Sequence, residues 1–186
     1  HPWGSIAKAP YHVLDMSWTC LLMLRWYDEL ERDSRLLGYA MKYADALMSL
    51  QDDAGFFPAW LDRDTKRPIA ELAQSPETSL SVTFLLKLHE LIPDPAYSAS
   101  AFRAMDAVLA HIVPDGRWED FETYWSCCAY GREDLVGRKV ARNNMYKQCN
   151  FSMFWTAEAL LQCYKVTGAE RYLAAGRRCL DELLMT

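Results

Sequence analysis

The sequence predicts an all-α fold of stacked helical hairpins, and three observations carry that prediction. Nearly all-apolar stretches alternate with amphipathic ones, the pair recurs three times, and links are short within a pair but long between pairs. From Leu14 to Glu31 (LDMSWTCLLMLRWYDELE) the chain is apolar nearly all round, the pattern of a buried helix. Asp33 to Gln51 places charges and small residues on one side and reads as an amphipathic helix facing solvent. The pair returns at Glu77 to Leu91 (ETSLSVTFLLKLHEL) with Pro95 to Val113, and again at Asn150 to Val166 (NFSMFWTAEALLQCYKV) with Ala169 to Met185.

Laying Leu24, Leu85 and Leu160 on one another brings LRWYDEL, LLKLHEL and LLQCYKV into register, at offsets of 61 and 75 residues. Asp45, Asp106 and Asp181 then coincide late in the three amphipathic helices, Tyr97 coincides with Tyr172, and Gly55 with Gly116. The unequal offsets reflect a longer second link. Tandem helix pairs of this kind stack to share one continuous core.

Within hairpins the turns are short: Arg32 to Ser34, Ile92 to Pro95, and Thr167 to Gly168. Between hairpins run Asp52 to Pro76 and Pro114 to Gln148. Long links inside a compact domain are usually functional. Both are expected at one end of the bundle, beside the buried-helix N-termini near Glu77 and Asn150, where free N–H groups and helix dipoles favour anionic groups. Buried helices inside, amphipathic helices outside and long loops at one end describe an α/α toroid, or about half of one.

The alternation is similar to that of the α/α toroids of six-hairpin glycosidases, polysaccharide lyases and terpenoid cyclases. Gln51-Asp52-Asp53-Ala54-Gly55-Phe56-Phe57 resembles the Q…G-x-W/F element that ends outer helices in triterpene cyclases, and Asp115-Gly116-Arg117-Trp118 is a partial second copy. Beside a six-hairpin ring, three hairpins are about half. The resemblance therefore implies apolar edges that the remaining half of the toroid, or a second copy of the chain, would cover. The chain begins His-Pro-Trp without an initiator Met, and helical periodicity still runs at Leu183-Leu184-Met185-Thr186. The expectation is one toroid domain, residues 1–186, that is part of a longer chain.

Composition narrows the partners. The 186 residues are 51% hydrophobic and 13% aromatic, which is globular. A net charge of −5 and a pI near 5.4 argue against nucleic acid and anionic membranes. No apolar run is long enough to span a bilayer, and a soluble domain is expected. Six cysteines without a CxxC pair are expected to be buried thiols rather than a disulfide frame or a zinc site, which leaves the compartment open. The sequon at Asn150-Phe151-Ser152 opens an apolar helix and is discounted. His89 is expected in a buried helix, His111 on an outer one, and His1 and His12 in the N-terminal segment; no HExxH or paired-histidine spacing predicts a metal, and no cofactor motif appears. DxDD and DDxxD, which a terpenoid cyclase would use, are absent.

The most unusual stretch is Pro114 to Ser126, PDGRWEDFETYWS. Aromatics beside carboxylates suit sugar binding, because the CH face of a pyranose packs on a ring while carboxylates accept from its hydroxyls. Trp60, Trp118, Tyr124 and Trp125 are candidate platforms, or parts of a loop plug closing one end of the ring, as expected of Phe56, Phe57 and Phe121. Glycosidic hydrolysis needs an acid and a base or nucleophile on opposite sides of the bond. Glu77, Asp120 and Glu122 are the catalytic candidates; Glu77, beneath the loop face, is where desolvation would raise a carboxyl pKa. The other reading of Glu77 is a first-turn acid complementing its helix dipole behind Ser75 as cap. Asp52 and Asp53 read as turn residues before Gly55.

A lyase would need cations or amides and a base, and Asn143, Asn144 and Tyr146 are the residues to test. The leading reading is a carbohydrate-active domain, hydrolase before lyase, binding an oligosaccharide or polysaccharide on the long-loop face. The alternatives are a non-catalytic scaffold for a glycan or a protein, and a terpenoid-cyclase-like toroid.

Overall fold

The computed structural model describes residues 10–70, 73–119 and 136–185. Within them lie six helices, α1 (Val13–Glu29), α2 (Ser34–Ser49), α3 (Thr78–Leu91), α4 (Pro95–His111), α5 (Asn150–Thr167) and α6 (Glu170–Leu184). Each boundary falls within two residues of the sequence expectation. Two short strands, β1 (Tyr11–His12) and β2 (Trp60–Leu61), pair antiparallel with His12 opposite Trp60.

Local chemistry explains the boundaries. Asp33 and Asp94 cap α2 and α4 by accepting from the N–H of Arg35 (2.9 Å) and Ala96 (2.8 Å), and Pro95 supplies a pre-formed first turn. Gly168 ends α5 in the left-handed conformation at φ 67°, its N–H donating to the Tyr164 carbonyl at 2.7 Å.

Helices α1, α3 and α5 form the inner layer, and α2, α4 and α6 each cover their own hairpin partner from outside. Helix α3 packs on both α1 and α5 and is buried from Thr78 through Leu86 without a break. Its small hydroxyls meet partners on both flanking helices. Ser81 is 2.8 Å from Ser17 of α1, and Ser79 is 2.8 Å from Thr156 of α5. Ser17 also meets Tyr43 of α2 at 2.8 Å, and Tyr43 donates to the Val13 carbonyl. Across the inner face Trp18 meets Trp155 edge-on at 6.0 Å, and Arg25 donates to Glu158 at 2.9 Å.

The hairpins α1–α2 and α5–α6 flank the central hairpin α3–α4. Accordingly α1 leaves Trp18, Leu22 and Trp26 exposed, and the third hairpin leaves Phe154, Leu161 and Leu180 exposed. The expectation that α1 and α5 are buried all round is corrected here: each lies at an edge of the inner layer and has an uncovered side.

Outer helices are tied in sequence. Gln51, just after α2, donates from Nε2 to the Gly55 and Ser100 carbonyls (2.8 and 3.0 Å) and accepts from Ser100 and Arg103 of α4 (2.8 and 2.6 Å). Asp106 of α4 accepts from Tyr172 (3.0 Å) and Arg171 (2.9 and 3.1 Å) of α6. Asp52 caps its own turn by accepting from the Phe56 N–H at 2.7 Å, the turn role read from the sequence.

Gly55 makes that turn possible. Its φ is 105°, and a Cβ there would lie 2.6 Å from the Arg103 carbonyl oxygen. Gly116, the repeat equivalent, is left-handed at φ 61° but meets nothing nearer than 3.9 Å. Gly55→Ala is therefore expected to destabilise the domain by about 2–4 kcal/mol, from strain plus overlap with backbone. Gly116→Ala carries the conformational part alone, about 1–2 kcal/mol. Urea denaturation of both variants checks the order.

Candidate functional site

The described parts of the long links meet the N-terminal ends of the inner helices, and hydrogen bonds fix the first link there. Val13 at the start of α1 donates its N–H to the Ala59 carbonyl at 2.9 Å. Thr78 at the start of α3 donates from Oγ1 to the Phe57 carbonyl (3.0 Å) and accepts from the Phe57 N–H (3.3 Å). Phe56 and Phe57 are fully buried, plugging this end as expected.

The β pairing brings His12 onto Trp60, with ring centroids 4.2 Å apart and planes 18° from parallel. On its edges His12 meets Glu77 (Nε2 to Oε2, 3.3 Å) and Asp15 (Nδ1 to Oδ2, 3.1 Å). Burial alone would lower the imidazole pKa, but Glu77 and Asp15 together override it and push it up to about 10. The hydrogen bond with His12 is the main reason Asp15 lies below the usual carboxylate range. The result is an imidazolium held between two carboxylates against an indole face.

Glu77 is the candidate this geometry describes most fully. It is 3% exposed, stands at the N-cap position of α3, and donates its own N–H to Ser75 Oγ at 3.1 Å. Its carboxylate faces His12 rather than solvent. Trp60 is likewise buried, one face against His12.

In the second link, Trp118 is 0% exposed; its Nε1 donates to Glu182 Oε2 at 2.6 Å and its carbonyl accepts from the Cys149 N–H at 2.9 Å. The structure places this ring in the core, corrected from a candidate sugar platform, because an indole N–H buried there needs the acceptor that α6 provides. Glu119, also buried, accepts from Arg117 Nε (2.8 Å) and the Gly137 N–H (3.0 Å), so it draws together the two ends of the segment between them. Asp120, Phe121, Glu122, Tyr124 and Trp125 lie outside the described residues.

Asn143 and Asn144 form an exposed turn between Val140 and Met145. Asn143 Oδ1 accepts from the Met145 N–H at 3.2 Å, and Asn144 takes φ 55°, a conformation asparagine tolerates. Tyr146 is half-buried beneath Lys139, 5.1 Å from the ring centre, and Arg117 at 6.0 Å. A cavity of about 510 Å3 opens between this turn and α6, lined by Asp115, Asn144, Gln148, Arg178, Asp181 and Glu182 among others. It brings Asn144 among three carboxylates; Glu77 and Trp60 do not line it.

His12 and Asp15 are the site-end residues the sequence reading missed, whereas Glu119 lies within the stretch it singled out. The available signal for His12 was its place directly before the first helix, beneath an expected loop plug. Among the described residues no three His, Cys, Asp or Glu side chains are grouped to hold a metal, and no helix is long and apolar enough to cross a membrane.

The fold is similar to that of a family 76 glycoside hydrolase from a bovine Bacteroides thetaiotaomicron strain, with a TM-score of 0.66 and 15% identity over 94% of this chain and 35% of that one. It is also similar to a GH76 α-mannanase of Bacteroides thetaiotaomicron, with a TM-score of 0.66 and 14% identity over 92% of this chain and 44% of that one. No family model and no curated protein matches the sequence. The fold is thus that of an α/α toroid, and the chain spans less than half the length of these two solved chains.

The His12 pair has a definite pH signature. Its folded pKa lies above the unfolded value of 6.5, so its stabilisation is complete below that pH and is lost as pH rises through about 10. His12→Gln is expected to cost about 3–5 kcal/mol at pH 6, the usual effect of breaking a buried pair. Denaturant titrations at pH 6 and above pH 10 check this, the gap from wild type shrinking at the higher pH.

Proposed function

We propose that this chain is a carbohydrate-active domain of glycoside hydrolase type that binds an α-mannan-like oligosaccharide at its long-link end. The observation that carries the reading is the likeness of nearly the whole chain to two GH76 structures, one of them an α-mannanase. Asp120 and Glu122 are assigned the chemistry. One, as the acid, protonates the glycosidic oxygen as the bond to the anomeric carbon breaks; the other, as carboxylate, activates water or attacks that carbon. Both belong to the segment whose ends Glu119 anchors. Tyr124 and Trp125 supply ring faces, with Asn143, Asn144 and Tyr146 on the rim. Glu77, enclosed by His12 and Trp60, acts as a positioning residue that holds the first link against the inner helices.

A second reading, a glycan-binding scaffold without turnover, has one observation in its favour: Glu77 and Trp118 are both committed to internal partners.

Reducing-end release from α-mannan and calorimetry with α-linked manno-oligosaccharides test the proposal. Asp120→Asn and Glu122→Gln are each expected to lower turnover by about 10²–10⁴-fold while leaving affinity nearly unchanged. Trp125→Ala should weaken binding by about 1 kcal/mol. Undiminished turnover in the double carboxamide variant overturns the catalytic assignment. Binding without turnover in the wild type selects the scaffold, and no binding removes α-mannan as the ligand.

A further inference from the structure

One side of the inner layer is polar along much of its length. On α1, Asp15, Trp18, Leu22, Arg25 and Glu29 follow one another at three- and four-residue spacing and so share a stripe. On α5, Phe151, Trp155, Glu158 and Gln162 do the same. The stripes meet over α3, where Trp18 lies edge-on to Trp155 at 6.0 Å and Arg25 donates to Glu158 at 2.9 Å. Because α3 lies between α1 and α5, side chains that touch across it stand on the inner face, away from the two flanks of the layer. Below the Arg25–Glu158 bridge this face opens into a cavity of about 460 Å3, lined by Arg25, Glu29, Lys87, Glu90, Gln162 and Lys165 among others.

At the long-link end the inner face carries an acid and rings that the repeat does not require. Asp15, in the first turn of α1, accepts through Oδ2 from His12 Nδ1 at 3.1 Å. Its side chain is 67% exposed, and Oδ1 has no partner among the described residues. His12 is buried and paired behind with Glu77, so it fixes the Asp15 carboxylate in place. Trp18, three residues on, is 39% exposed, whereas Trp155 beside it is buried and stacked against Phe151 at 5.7 Å. The indole of Trp18 is thus held in orientation while part of it stays open. Pro76 and Phe151 occupy the register of Asp15, and Ser79 and Phe154 that of Trp18. Hairpin packing at these heights therefore calls for neither an acid nor an indole.

We propose that Asp15 and Trp18 form a subsite for one pyranose unit at the mouth of this inner face, the CH side of the sugar lying on the Trp18 indole and adjacent hydroxyls donating to Asp15. The inference rests on the carbohydrate reading and adds inner-helix residues to the link residues of that site. A sugar fits better than a cation, because His12 already serves Asp15 as counter-ion and a ligand cation would compete with it. A hydroxyl needs only the open oxygen, and a hydrogen bond to a charged acceptor is a strong one.

Calorimetry of the full chain with a panel of soluble α- and β-linked hexo-oligosaccharides tests the subsite, with thermal unfolding to confirm that each variant folds. Trp18→Leu keeps an apolar contact on Trp155 but no ring face, and is expected to weaken binding by about 5–10-fold. Trp18→Tyr restores a ring and is expected to recover most of that loss. Asp15→Asn is expected to weaken binding by about 10-fold or more. Wild-type binding that Trp18→Leu and Asp15→Asn leave unchanged overturns the subsite while the carbohydrate reading stands. Equal losses in the two Trp18 variants also overturn it, since the ring would then be structural. A wild type that binds nothing in the panel overturns both readings together. Displacement of the bound oligosaccharide by tetramethylammonium assigns the surface to a cation instead, and sedimentation as a dimer that Trp18→Asp dissociates assigns it to a second copy; either result overturns the proposal.

Discussion

The enclosure of α3 is the constraint on which the remaining structure depends. A helix packed on both flanks and against its hairpin partner has no solvent side on which to place polar atoms, yet it carries Ser79, Ser81 and Thr83 in its buried run. Small side chains let the neighbouring helices come close, and buried hydroxyls demand partners at matching heights. Ser17 and Thr156 meet that demand from opposite sides. The heights of α1 and α5 against α3 follow, and with them the register of three hairpins that share no sequence identity beyond a few positions.

That register decides what reaches the long-link end. With α1 and α3 fixed side by side, the two residues of β1 hold His12 against β2, and Glu77 at the head of α3 comes within 3.3 Å of it. Two buried charges cost desolvation that their mutual attraction only partly offsets unless further bonds are made. Asp15 and the Trp60 face supply those contacts. This corner is therefore filled and rigid. In the second link, Trp118 is held by Glu182 of α6 and Glu119 by Arg117 and Gly137.

Much of the fold was legible because it is written locally. Helical periodicity, Asp-Pro at the head of α4 and glycine at the end of α5 are short-range signals, and each marks a boundary in the structure. Asp106 and Tyr172 were also found by register, though alignment alone did not reveal that they touch. The site was less legible because its contacts are long-range. His12 meets Glu77 across 65 residues, and Trp118 meets Glu182 across 64. A tryptophan beside acids in a loop looks like a sugar platform until the distant carboxylate that takes its N–H is known.

The two junctions between outer helices also separate specificity from strength. Arg171 adds an ion pair to the second junction, whereas its equivalent at the first is Ala96. Arg171 and Asp106 are both substantially exposed, so solvent and salt screen their attraction and it adds little to stability. Tyr172, in contrast, is 2% exposed, and an unpaired phenol hydroxyl there would carry the full penalty of lost hydration. Tyr172 is therefore the member of this junction that penalises a wrong neighbour. In a ring of hairpins with similar apolar faces, hydrophobic burial cannot distinguish one neighbour from another or one register from the next. A buried phenol that needs a carboxylate at one height can, and so it fixes hairpin order where apolar contact alone would leave it degenerate.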